Sequence, residues 1–191
     1  MGIGRVRAVF LDRDGVLNLA VIRDGLPYPP KGIEGLTLAP GAAQALGRLK
    51  QAGFLLLVVT NQPEVARGLQ TRSAVESLNA AIASELPIDG IFVCWHDDND
   101  DCPCRKPKPG LLLDAARRHG IDLADSFLVG DRWRDIDAGA AAGCRTVLID
   151  HHYRERGPSA EPDFRAVSLA AAADWILQVY YSLQLPTLDS G

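Results

Sequence analysis

The sequence predicts an α/β protein built on a mostly parallel sheet. Short, nearly continuous apolar runs alternate with segments of helical period, and each run is followed by polar residues or a turn. Size agrees: 191 residues, at roughly 150 per domain, make one domain.

The runs 6–11, 54–60, 91–94, 127–129 and 146–149 read as strands buried on both faces, because apolar residues occupy them almost without interruption. Between them lie the helices. Segment 40–51 opens on Pro40 and closes at Gly53; 71–86 has Thr71 as N-cap and Pro87 as its stop. Segments 108–119 and 134–142 end at Gly120 and Gly143, and 169–183 is a last amphipathic helix. Two stretches break the alternation. Segment 20–37, with Gly25, Pro27, Pro29, Pro30, Gly32 and Gly35, reads as a long loop after the first strand, a length usually kept for function. The tail 184–191 reads as frayed, which leaves 1–183 as the domain.

Composition excludes several classes. Apolar residues make up 47% and charged residues 23%, so the chain can bury a core and is not disordered. With 20 Lys+Arg against 24 Asp+Glu the net charge is −4, which gives no general basic surface for nucleic acid. The longest apolar run, 54–59, is far short of the ~20 residues that span a bilayer. The first residues lack a signal-peptide pattern, and no long apolar stripe is left over. The expectation is a cytoplasmic monomer with neither nucleic-acid nor membrane partners.

In an open parallel sheet, ligands bind beyond the carboxyl ends of the strands. The first run ends in Asp12-Arg13-Asp14-Gly15-Val16-Leu17-Asn18. Carboxylates two apart on extended backbone share a side, and such a pair can hold a hard divalent cation that leaves positions open for phosphate oxygens. The second run ends in Thr60-Asn61-Gln62, a neutral donor set suited to phosphoryl oxygens. Arg105-Lys106-Pro107-Lys108-Pro109-Gly110 precedes a helix, where cations are electrostatically misplaced unless an anion sits there. The fourth run ends in Gly130-Asp131-Arg132-Trp133-Arg134-Asp135, and Asp131 can complete a metal site begun by Asp12 and Asp14. Asp135 is suited to ordering its loop by hydrogen bonding, and Asp137 reads as a solvated helix face.

Cys94, His96, Cys102 and Cys104 supply three thiolates and one imidazole, the ligand set of a closed structural zinc site. The alternative is a set of reduced cysteines beside a merely solvated acidic run, Asp97-Asp98-Asn99-Asp100-Asp101. Cys144 reads as a buried small hydrophobe, and His119, His151 and His152 as surface or packing residues.

The ordered set DxDGVxN, TNQ, RKPKP and GDxxxD, each at the end of an apolar run, resembles the haloacid dehalogenase superfamily of phosphohydrolases. TNQ followed by Ala66-Arg67-Gly68, together with CPCRKPKPG, is similar to its heptose-bisphosphate phosphatase and histidinol-phosphatase branch. The resemblance runs from about Val6 to Ile149. It implies a three-layer Rossmann-like sandwich without a large cap domain, carrying a zinc-stapled loop. It also implies Asp12 as nucleophile, Asp14 as general acid and base, and Thr60 and Lys106 as stabilisers of the phosphoryl group. Mg²⁺ is expected on Asp12, Asp131 and the Asp14 carbonyl, and Zn²⁺ on Cys94, His96, Cys102 and Cys104. Arg67, Arg105 and Lys106 are assigned to anion recognition, Asn18, Asn61 and Gln62 to the entrance, and Arg132 to the substrate or the metal loop.

The expected substrate is a small phosphorylated metabolite, foremost D-glycero-D-manno-heptose 1,7-bisphosphate at its 7-phosphate, with histidinol phosphate as the alternative. Pro63, Ala20 and the length of segment 25–35 depart from the branch on the sugar side of the site. A zinc-stapled binding module without catalysis would keep the Cys/His cluster but would not need Asp12, Asp14, Thr60, Lys106 and Asp131 at successive strand ends. A polynucleotide phosphatase would need a basic groove, which the net charge disfavours.

Overall fold

A computed structural model describes residues 6–184. Six strands, β1 (Ala8–Leu11), β4 (Leu55–Asn61), β5 (Gly90–Cys94), β6 (Phe127–Gly130), β7 (Arg145–Ile149) and β8 (Phe164–Ala166), pair in the order β5-β4-β1-β6-β7-β8. All five pairings are parallel. Alternate residues of each central strand face opposite layers, as the pleat requires. Val9 and Leu11 of β1, Leu56 and Val58 of β4, and Phe127 and Val129 of β6 pack into one core with α1 (Ala42–Gln51) and α6 (Leu169–Ser182). Ala8, Phe10, Leu57, Val59 and Leu128 face the other, with α4 (Gly110–His119) and α5 (Trp133–Ala142). The result is the expected three-layer sandwich, and among the described residues no large cap stands over it.

The helix boundaries follow local chemistry. Thr71 Oγ1 accepts from the Ala74 N–H at 3.1 Å and opens α3 (Arg72–Glu85), while Ser168 does the same for α6 from Ala171 at 3.2 Å. Gly120 and Gly143 close α4 and α5 in the left-handed conformation. A short helix, α2 (Pro63–Ala66), fills the turn after β4.

Four departures from the sequence reading have physical reasons. Segment 20–37 is not a plain loop: β2 (Val21–Arg23) and β3 (Leu26–Tyr28) form an antiparallel hairpin, followed by a 3₁₀ turn at Ile33–Gly35. Asp24 and Gly25 both take positive φ, 53° and 79°, the geometry of the tight turns that suit strand twist. β5 is only half-buried because it is the edge strand, with β4 as its single neighbour. β8 is three residues long, too short to show a period, and exists through its register with β7, Val147 opposite Phe164. Asp137 is no solvated face: its Oδ1 accepts from the N–H groups of Ser159 and Ala160 and fixes the approach to β8. The tail expected to fray lies, from residue 185 on, outside the described residues. No helix among the described residues is long and apolar enough to cross a membrane.

Candidate active site

β1 lies between β4 and β6, so the residues that follow these three strands meet. The Asp12 N–H donates to the Val129 carbonyl at 2.9 Å, which ties the turn after β1 to β6. Asp12, Asp131 and Asp135 are buried and bring one carboxylate oxygen each to within 4.8 Å of the others. Lys106 serves them from the opposite wall: its Nζ donates to Asp12 Oδ1 at 2.7 Å, Asp135 Oδ1 at 2.5 Å and the Val59 carbonyl at 2.7 Å.

Three carboxylates against one ammonium leave a formal charge of −2 in a space from which water is largely withdrawn. Burial pushes the Asp12 carboxyl up to about 6, against the pull of Lys106. It drives Asp131 well above the carboxylate range, with the charges of Asp12 and Asp135 adding to the effect. Burial alone would lower Lys106, but Asp12 and Asp135 more than reverse this and keep it charged. Both oxygens of Asp135 are committed, to Lys106 and to the Arg132 N–H at 3.0 Å. Asp131 Oδ1 has no partner among the described residues. A hard divalent cation fits this donor set, since it balances the charge and gives that oxygen a ligand role. The Asp14 carboxylate stands outside the cluster.

Asp14 is held from several sides. Arg13 donates to its Oδ2 from Nη2 at 2.8 Å, Asn18 to its Oδ1 at 3.0 Å and Gln62 to its Oδ2 at 3.0 Å. Asn18 and Gln62 are fully buried and support Asp14 from beneath, so the entrance role expected of them is corrected. Neither lines the pocket: their amide nitrogens donate to Asp14 and, for Gln62, also to Thr60 Oγ1 at 2.9 Å. Gly15 makes the turn possible: its φ is +89°, and a Cβ there would fall 1.8 Å from Asp131 Oδ2.

Sequence reasoning missed Arg13, which is 1% exposed and also donates to Asn79 of α3 at 2.9 Å. Its signal was available. A residue between two carboxylates that share a side must face the other way, into the protein, where an arginine needs partners. It also missed Arg134 and the hairpin residues Pro27, Tyr28 and Pro29, which line the pocket with Asp12, Asp14, Thr60, Asn61, Arg105, Lys106 and Arg132. Asn61 spans strand and loop, bonding the Lys106 backbone N–H and carbonyl at 3.1 and 3.0 Å. Arg132 is gripped by Glu155 at 2.7 and 2.9 Å.

Arg67 is placed differently from expectation. Its Nε donates to Asp97 at 2.8 Å, Asp98 and Glu64 lie within 4 Å, and it does not line the pocket. The acidic run is therefore not merely solvated. Asp98 Oδ1 accepts from Arg105 at 2.9 Å and Arg134 at 3.0 Å, so one carboxylate ties down two pocket arginines.

Below this run, Cys94, His96, Cys102 and Cys104 converge. Their sulfur atoms lie 3.3–3.7 Å apart, and His96 Nδ1 is 3.4 Å from Cys104 and 3.7 Å from Cys94. Four donors around one zinc at ~2.3 Å stand about 3.8 Å from one another, so the set fits a tetrahedral ion. Cys144 is apart from it and buried, its thiol pushed up to about 12 by desolvation.

Strand-end carboxylates and a buried lysine thus meet in one polar pocket, the arrangement expected of a haloacid dehalogenase-type hydrolase. A family model described as haloacid dehalogenase-like hydrolase matches residues 29–143. The chain is 36% identical to the D-glycero-beta-D-manno-heptose-1,7-bisphosphate 7-phosphatase of Bordetella bronchiseptica, over 91% of this chain and 99% of that one. It is 35% identical to the enzyme of that name from Escherichia coli K12, over 90% and 88%. The crystal structure of the B. bronchiseptica phosphatase, complexed with magnesium and phosphate, superposes with a TM-score of 0.78 over 91% of this chain and 99% of that one. A HAD-like phosphatase from Mesorhizobium loti, 29% identical, gives 0.72 over 92% and 87%. The chain belongs to the haloacid dehalogenase-like hydrolase family. Within that family it is a phosphatase.

Proposed function

We propose that the chain hydrolyses the 7-phosphate of D-glycero-D-manno-heptose 1,7-bisphosphate through an aspartyl-phosphate on Asp12, with Mg²⁺ as cofactor. The observation that carries the chemistry is the buried cluster of Asp12, Asp131 and Asp135 around Lys106, with one Asp131 oxygen left unpartnered. The substrate rests on the relatives that carry its name and on the cations Arg105, Arg132 and Arg134 around the pocket, which suit a second phosphate.

A carboxylate attacking a phosphate dianion is opposed by charge, and the site's task is to remove that opposition. Asp12 and Asp131, with the Asp14 carbonyl, would hold Mg²⁺, which when bound supplies positive charge next to the transferring group. Lys106 keeps one Asp12 oxygen oriented and adds its own charge, while Thr60 presents a hydroxyl to the phosphoryl oxygens. Asp12 forms the new P–O bond as the sugar C7–O–P linkage breaks, and Asp14 gives its proton to the departing oxygen. Water then attacks phosphorus, Asp14 takes the proton, and the Asp12–phosphorus bond breaks to release inorganic phosphate. Pro27 and Tyr28 of the hairpin β2–β3, with Pro29, line one part of the pocket.

The test is Mg²⁺-dependent phosphate release from heptose 1,7-bisphosphate and histidinol phosphate side by side. Preference for the bisphosphate is expected, with Asp12→Asn lowering kcat at least ~10³-fold, about 4 kcal/mol. Near-normal turnover by the purified variant would refute the nucleophile, and preference for histidinol phosphate would refute the substrate.

A further inference from the structure

We infer that Tyr153 is a positioning residue for Asp131: its hydroxyl holds one carboxylate oxygen so that the other is turned to the cation. The inference rests on the Mg²⁺ site proposed above. Tyr153 belongs to the irregular segment between β7 and β8, outside every motif read from the sequence.

Its hydroxyl donates to Asp131 Oδ2 at 2.8 Å, and Oδ1 of the same carboxylate is buried without a partner among the described residues. The two oxygens thus have different tasks. Without a restraint, the negative charges of Asp12 and Asp135 would favour rotation of Asp131 away from them. Gly15 closes the third side, since a Cβ on it would meet Asp131 Oδ2 at 1.8 Å and the Tyr153 hydroxyl at 3.1 Å. The glycine leaves room for the Tyr153–Asp131 hydrogen bond against the turn that carries Asp12 and Asp14.

The neighbours of Tyr153 fasten the same two strand ends. His151 Nε2 donates to the Gly15 carbonyl at 2.8 Å, and its ring lies 5.4 Å from that of Tyr153. Glu155 takes Arg132 in two hydrogen bonds. The Arg154 N–H donates to the Gly25 carbonyl at 2.9 Å, which joins the segment to the hairpin over the pocket. Residues 151, 153 and 155 therefore bridge the loops after β1 and β6, and only Tyr153 touches a proposed metal ligand. Partners of this kind typically set metal affinity by 10–100-fold.

The experiment compares wild type, Tyr153→Phe and Tyr153→Leu, each folded by circular dichroism and freed of divalent cations from the aspartate site. Mg²⁺ binding is measured by calorimetry and Mn²⁺ binding by the electron paramagnetic resonance of the free ion. Both variants should bind about 10-fold more weakly, and Tyr153→Phe should approach wild-type kcat once Mg²⁺ saturates. Equal affinity in wild type and Tyr153→Phe overturns the inference. So does a loss confined to Tyr153→Leu, which would assign the effect to ring packing, or a kcat defect that saturating Mg²⁺ leaves in place. Should wild type itself bind neither ion, the Mg²⁺ site of the proposed function fails, and this inference with it; tight binding by wild type together with an unaffected Tyr153→Phe defeats the inference alone.

Discussion

The ammonium of Lys106 has three protons, and Asp12, Asp135 and the Val59 carbonyl take all three. It is 2% exposed, so its charge is shared with these partners and hardly with water. Lys106→Met removes the only ammonium among the three carboxylates. We expect loss of turnover and, in metal-free protein, a destabilisation of about 3–5 kcal/mol by chemical denaturation, the usual cost of stripping one partner from a buried pair. Wild-type stability would show that the carboxylates do not depend on it. Gly15→Ala tests close approach instead of charge. The new methyl group strains a φ of +89° and collides with Asp131, so the variant should lose Mg²⁺-induced thermal stabilisation; an undiminished shift in Tm would show that the turn can relax. At this scale much was legible, because Asp12 and Asp131 are marked by charge at strand ends and Lys106 by charge ahead of a helix N-terminus. For Arg13 only the inward direction was legible, from its place between two aspartates that share a side; its buried partner Asn79, 66 positions away, was not.

Among the elements, the loop from the end of β5 to the start of α4 has the most to do and the least regular structure. It carries Cys94 and His96, then the acidic run that binds Arg67, Arg105 and Arg134, then Cys102, Cys104, Arg105 and Lys106. A zinc ion would clamp this loop on both sides of the acidic run, and thereby fix the carboxylates that bind the arginines. Elemental analysis should find one zinc per chain. Stripping it with a strong chelator and restoring Mg²⁺ should raise KM more than it lowers kcat; a zinc-free preparation with unchanged KM would refute the staple. The hairpin β2–β3 was the element most open to recognition and was missed: Asp24-Gly25 is a turn signal, obscured by the prolines that follow it. β8 could not be read, because three residues carry no period and its pairing with β7 is a long-range contact.

In the whole molecule, two cores on opposite faces of one sheet hold the strand ends in place. Phe127 joins several parts of the larger core, meeting Phe54 at 5.9 Å and Trp175 of α6 at 6.0 Å between ring centres. Phe127→Ala should cost about 3–5 kcal/mol in denaturant unfolding. A change below ~1 kcal/mol would mean that the neighbouring rings close the space.

The alternation of apolar runs and helical segments determined the parallel sheet, and the strand ends determined which residues could do chemistry, because both are encoded within a few neighbours along the chain. Tertiary structure alone decided what each polar residue is paired with. It turned Asn18 and Gln62 inward to Asp14, gave Arg67 to Asp97, and set Tyr153 against Asp131. Those pairings join residues up to 48 positions apart, and a buried polar group accepts whichever partner the packing brings within reach.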